Sequence, residues 1–174
     1  MTAESYLEAC LAYYQSTFDL KRDFEYGGMI YDAYGHFYAH NEKYVLAKEV
    51  QMWETNCYEH VFFQIVDELT PDRITQMGRM VSNQAEPELV CRGKKYPPRN
   101  HMYSYLTCIF LCRKPLSREA QKAIRSYHFS RTYLFSVRGW CEARTAAVSL
   151  TESRICTNRQ GSILAEILKK PFYE

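Results

Sequence analysis

Glycine is scarce in this sequence, at seven residues in 174. Phosphate cradles are built from loops that concentrate several glycines, and no Walker, dinucleotide-binding, HExxH or GxSxG motif occurs. Gly27-Gly28 is the one adjacent pair, and a turn accounts for it. Paired cysteines are also missing. Seven cysteines is an odd number and no two are spaced C-x-x-C, which argues against a disulfide framework and for a reducing compartment. Long apolar runs are absent: nothing approaches the roughly 20 residues that a membrane-crossing helix needs. The opening stretch Met1-Thr2-Ala3-Glu4-Ser5 has neither the basic patch nor the apolar core of a secretory leader. The expectation is a cytoplasmic protein with no membrane partner.

What is present points to a packed fold. Hydrophobic residues make up 47% of the chain and charged residues 24%, too apolar for disorder. The length suits a single domain over 1–174, burying roughly 70% of its unfolded surface. Net charge is only +2, but it is unevenly spread. Residues 1–84 carry 6 basic and 13 acidic side chains, whereas residues 85–174 carry 16 and 7. Three readings stand: neutralisation of one half by the other within the fold, head-to-tail association, or an anionic partner such as nucleic acid.

The hydrophobic pattern predicts the order α-β-β-β-α-β-α-β-β-α, with a short extra strand before the last helix. Leu7, Cys10, Leu11, Tyr14 and Phe18 recur at helical spacing, placing a helix over 3–17 with Thr2 as its cap. Strands are expected at 24–26, 29–40, 44–53 and 58–66, with a turn at Asn41-Glu42-Lys43 and a break near Glu54-Thr55-Asn56. Alternation over 29–40 puts Asp32, Tyr34, His36, Tyr38 and His40 on one face and Tyr31, Ala33, Gly35, Phe37 and Ala39 on the other. Thr70-Pro71-Asp72 opens a helix with Ile74, Met77 and Val81 inward. Residues 84–100, with three prolines and four basic side chains, read as one long loop. Further strands are expected at 102–112, 131–137, 140–150 and 154–157. A helix capped near Leu116-Ser117 lies between the first two, and Ile163, Leu164, Ile167 and Leu168 form a last short one. Arg138-Gly139 reads as a tight turn. All six prolines fall outside the proposed strands and helix interiors. The expected fold class is therefore α+β, a mixed and mostly antiparallel sheet with flanking helices.

Two groups of residues are candidates for a ligand or interaction site. Tyr34, His36, Tyr38 and His40 share a strand face. Asp32, His36 and His40 invite a metal reading, but four residues along a strand span roughly 13 Å, too far for neighbours to share one ion. No metal and no cofactor is implied. Arg138, Trp140 and Arg144 flank one turn and suit an anion or a stacking partner. The basic run Arg92 to Arg99 suits phosphate contact or a solvated loop equally. Cys108 and Cys112 read as buried core thiols. Fifteen tyrosines need partners for their hydroxyls, and tyrosine with arginine is typical of interface centres, so a homodimer is a reasonable expectation.

The helix–three strands–helix–strand order resembles the core of restriction-endonuclease-like nucleases. Asp32 stands near the first acid of that pattern. The third-strand acid-x-Lys is missing, because Lys48-Glu49 is adjacent and reversed, and the only such tripeptide, Asp19-Leu20-Lys21, lies at the end of the first helix. A second likeness runs through His101-Met102-Tyr103-Ser104-Tyr105-Leu106-Thr107, Phe135 to Arg144, and Thr157-Asn158-Arg159-Gln160-Gly161. These stretches resemble a family of small, uncharacterised bacterial proteins, a domain of unknown function covering most of the chain. That resemblance implies a cytoplasmic protein and carries no activity to transfer. The leading expectation is a non-catalytic binding or protein-interaction module. The alternatives are a metal-dependent hydrolase centred on Asp32, and nucleic-acid binding through the basic second half.

Overall fold

A computed structural model of the chain describes residues 1–43 and 53–173. Its seven strands form one open sheet. The strands are β1 (Asp19–Tyr26), β2 (Met29–Lys43), β3 (Trp53–Val66), β4 (His101–Cys112), β5 (Ser130–Thr132), β6 (Trp140–Ser149) and β7 (Arg154–Thr157). The spatial order is β1-β2-β3-β4-β6, and β6 shares its outer edge between β5 and β7. β3, β4 and β6 run parallel to one another, and every other pairing is antiparallel. The mixed, mostly antiparallel α+β expectation therefore holds.

Helices cover both faces. On one face α2 (Pro71–Met80), a π-helix (Val81–Val90) and α3 (Arg118–Ser126) bury Phe62, Leu106, Cys108 and Phe110. On the other face α1 (Ala3–Tyr14) and α4 (Leu164–Lys169) bury Val61, Phe63, Ile109 and Leu111. The alternation of adjacent residues between these two cores is the period-2 rule at work. The caps are those the sequence supplies. Thr2, Thr70 and Ser117 each accept a backbone N–H at the start of α1, α2 and α3, and Pro71 begins α2, where its missing N–H has no helical partner to lose.

Several expectations are corrected. The turn at 41–43 and the break at 54–56 lie inside β2 and β3, which pair continuously from Ala33↔Phe63 to Lys43↔Trp53. The strand expected over 44–53 falls outside the described residues except for Trp53. The first half of the expected long loop is helical: 84–90 belong to the π-helix, with Pro87 inside it. Proline cannot donate to an α-helical ladder, and the wider turn closes instead from Cys91 N–H to the Glu86 carbonyl, five residues back. The strand expected over 131–137 ends at Thr132, and residues 133–139 form the turn. There Leu134, Phe135 and Ser136 all take left-handed backbone angles, at φ of 48°, 53° and 71°. Gly139, at φ 70°, closes the turn against β4, where a Cβ would meet the Met102 carbonyl oxygen at 1.9 Å.

The strict alternation expected of β2 fails at Asp32. Tyr31 and Tyr34, three residues apart, both face the α2 side. The Asp32 carboxylate takes the N–H of Ile65 at 2.7 Å, and Asp23 on the neighbouring strand sits at φ 47°. The strand turns over at this irregularity, so only 33–40 follow the expected two-face pattern.

Candidate functional site

The two candidate groups lie on opposite faces of the same end of the sheet, where β3, β4 and β6 begin. Tyr34, His36, Tyr38 and His40 face the α2 side. Trp140 and Arg144 face the α1 side. Arg138 stands apart from Trp140 and Arg144: its carbonyl accepts from His101 Nδ1 at 2.8 Å, and its guanidinium donates to the Pro97 carbonyl at 2.7 Å. It fastens the 133–139 turn to the segment before β4.

On the α2 side the antiparallel β2–β3 register sets His36 opposite His60 and Tyr38 opposite Tyr58. The result is a ladder of rings. His36 stacks on His60 at 4.7 Å, Tyr38 packs on Tyr58 at 5.1 Å, and Tyr58 stacks on His101 at 6.1 Å. The ladder is internally hydrogen-bonded. Tyr34 and His60 Nδ1 are bonded at 2.6 Å, and both Tyr38 and His40 donate to Asn56 Oδ1. Arg92 lies over the Tyr58 ring and donates to its hydroxyl at 3.0 Å. His101 donates from Nδ1, which leaves Nε2 to accept from the Ser104 hydroxyl at 2.8 Å. Burial disfavours the charged form of three of these imidazoles. It lowers His36 and His101 below their ordinary 6.5 and takes His60 to about 3, helped by His36 beside it.

Behind the ladder, the carboxylate of Glu86 on the π-helix is 1% exposed. It accepts from the Tyr133 hydroxyl at 2.6 Å, from Arg131 at 2.8 Å and from the Cys91 thiol at 3.3 Å. This anion ties the π-helix to the base of the 133–139 turn.

On the α1 side the parallel registers align Glu59 with Tyr105 and Glu142, and Thr107 with Arg144. Tyr103 stacks on Trp140 at 5.4 Å, Tyr105 meets Trp140 edge-on at 5.4 Å, and the two tyrosine rings lie 4.8 Å apart. The Arg144 guanidinium lies over the Tyr105 ring at 3.2 Å, a close cation–π contact. Its Nε is buried and has no hydrogen-bond partner among the described residues, and Glu142 Oε1 stands 3.9 Å away. Glu59 accepts from Thr107 at 2.7 Å, and burial raises its carboxyl above the ordinary range. Burial likewise pushes Tyr103 up to about 12. Helices α1 and α4 pack lower on this face, against Ala33, Phe63, Ile109 and Val148.

Sequence reasoning found Trp140 and Arg144 but missed Glu59, Tyr103, Tyr105 and Thr107. The spacing of Tyr103, Tyr105 and Thr107 at alternate positions was the available signal. The register that brings β3, β4 and β6 together had none. On the other face His60, Tyr58 and His101 lack a local signal for the same reason, while Arg92 belongs to the basic run the sequence marks. The hydrolase reading requires Asp32 to converge with other ligands. Its carboxylate is occupied by the Ile65 N–H, and the described residues contain no group of three or more histidines, cysteines or acids able to hold a metal ion.

No curated protein matches the chain. A family profile described as a domain of unknown function, DUF8052, matches residues 2–170. With nearly its whole length inside that match, the chain belongs to the DUF8052 family.

Proposed function

We propose that this chain is a non-catalytic protein-interaction module whose contact surface is the α1 side of the sheet around Trp140, Tyr103, Tyr105 and Arg144. One observation carries the reading. Arg144 is held flat on Tyr105 with a buried Nε that has no hydrogen-bond partner among the described residues, Glu142 Oε1 standing 3.9 Å away. A buried donor without an acceptor is costly, and a partner whose carbonyl or carboxylate drew the guanidinium outward would remove that cost. Tryptophan, tyrosine and arginine are also the residues that dominate interface hot spots. A second copy of the chain is the partner to test first, by the same self-complementarity that makes two-fold dimers common. Seven unpaired, buried thiols support a cytoplasmic setting.

Sedimentation velocity over a broad concentration range, on the wild type and on Trp140→Ala, tests this reading. A dimer that the substitution abolishes supports it. A wild type that stays monomeric throughout overturns self-pairing. Divalent-metal-dependent cleavage of nucleic acid that Asp32→Asn removes would overturn the non-catalytic reading itself.

A further inference from the structure

The 133–139 turn does something unusual for the surface of a folded domain. It presents Phe135 fully exposed, Val137 76% exposed and Leu134 38% exposed. Met102, whose carbonyl the turn packs against, is 48% exposed. Three successive non-glycine residues in left-handed conformation are needed to make this shape. Each is disfavoured by contact between its Cβ and the backbone, and such strain persists only where surrounding structure enforces it.

Here the enforcement is visible. Tyr133 is buried and bonded to Glu86, Arg138 is bonded at both its carbonyl and its guanidinium, and the Tyr133 N–H closes on the Gly139 carbonyl at 3.0 Å. A base fixed by these bonds therefore carries an apolar tip on which Phe135 and Val137 stand exposed.

The two segments that form the tip are basic. The two segments that meet here, 91–102 and 129–141, contain Arg92, Lys94, Lys95, Arg99, Arg131 and Arg138 and no acidic residue. Elsewhere the basic half is balanced by the acidic half: at the far end of β4, Arg113 pairs with Glu4 and Asp67, and Lys114 with Glu68. The tip end has ion pairs of its own, Arg131 with Glu86 and Arg144 with Glu142, but Lys94, Lys95 and Arg99 have none among the described residues.

We infer that this end docks on an anionic lipid surface, with Phe135, Leu134 and Val137 entering the acyl boundary and the flanking lysines and arginines facing the headgroups. Apolar insertion and basic attraction are the two signals that together give stable peripheral binding. The aliphatic neighbours of Phe135 favour lipid over nucleic acid, which rewards stacked rings rather than leucine and valine. No described helix is long and apolar enough to cross a membrane. The inference needs none, since it concerns a contact at the surface of the bilayer.

Flotation of the full chain with phosphatidylcholine vesicles, with and without phosphatidylserine, tests the inference. The wild type is expected to bind the phosphatidylserine vesicles, less tightly as salt rises. Phe135→Ser is expected to weaken that binding about tenfold or more, and Lys94→Glu with Lys95→Glu to do the same through charge. Phe135→Trp should give emission that brominated lipid quenches beyond the quenching seen with the wild type. Absence of binding at low salt overturns the inference. So does binding that Phe135→Ser leaves unchanged, or an equal, Phe135-independent affinity for single-stranded oligonucleotide, which would identify a general polyanion site. Phe135 has no packing partner, so the substitution leaves the core intact, and matching circular dichroism spectra verify this.

Discussion

The two faces at the tip end of the sheet are built from similar residue types and solve opposite problems. The α2 face carries imidazoles and phenols whose polar atoms bond to one another: Tyr34 to His60, His40 and Tyr38 to Asn56, and His101 to Ser104 and the Arg138 carbonyl. The α1 face carries tyrosines, a tryptophan and an arginine whose Nε has no partner among the described residues. A satisfied polar network rigidifies a fold. An unsatisfied one leaves free energy for a partner to recover. Burial and aromatic content do not distinguish the faces. Hydrogen-bond satisfaction does.

That comparison can be broken most severely behind the closed face, at Glu86. Glu86→Ala removes the shared acceptor of Tyr133, Arg131 and Cys91 and leaves the Tyr133 hydroxyl buried and unpaired. The expected loss is about 3 kcal/mol, from the orphaned group plus the cavity. A urea midpoint measured against wild type with an unchanged slope checks it. A loss below about 1 kcal/mol would mean that the π-helix is held by its apolar contacts alone.

His60→Ala is expected to cost slightly less, about 2 kcal/mol, because Tyr34 loses its partner but sits nearer the solvent-facing rungs of the ladder. The same experiment separates ring stacking from hydrogen bonding if His60→Phe is measured beside it. Phenylalanine keeps the stack on His36 and still orphans the Tyr34 hydroxyl.

The closed face also sets a pH dependence. His60 titrates near 3 in the folded chain and near 6.5 when unfolded. The unfolded state therefore binds more protons between those values, and stability falls as pH drops through that window. Between pH 7 and pH 5.5 the expected loss is about 1 kcal/mol from His60. His36 and His101 are lowered in the same direction and add to it. His60→Phe should flatten the profile measured by denaturation at each pH. An identical slope in that variant would assign the effect to other groups.

How much of this was legible beforehand follows from the range of each signal. Local signals carried well. Thr2, Thr70-Pro71 and Ser117 mark helix starts because a cap acts within one turn. The alternation from Ala33 to His40 reads a face because the pleat has period 2. Signals that depend on pairing carried poorly. Nothing local says that Thr107 lies beside Arg144 or Glu59 beside Tyr105, since parallel register is fixed by crossovers and packing far away in sequence. Residues 84–90 read as loop because Pro87 normally ends a helix, whereas the wider turn accommodates it and the buried Glu86 side chain is bonded across to Arg131 and Tyr133. Residues 131–137 read as strand because Tyr-Leu-Phe-Ser-Val has high strand propensity, which the left-handed backbone of 134–136 overrides.

The open face yields the smallest and most diagnostic effect. Arg144→Met removes the guanidinium from Tyr105 but also removes a buried donor that lacked an acceptor. The lost cation–π contact and the relieved desolvation oppose each other, each being about 1 kcal/mol. Methionine fills much of the same volume and packs well on aromatic edges. The stability of the free chain should therefore change by no more than about 0.5 kcal/mol either way, while any self-association through this face should weaken. A large destabilisation would show that Arg144 is satisfied within its own chain in solution, through Glu142 drawn closer than 3.9 Å. The face would then be closed like its opposite, and the contrast that singles it out as an interaction surface would disappear.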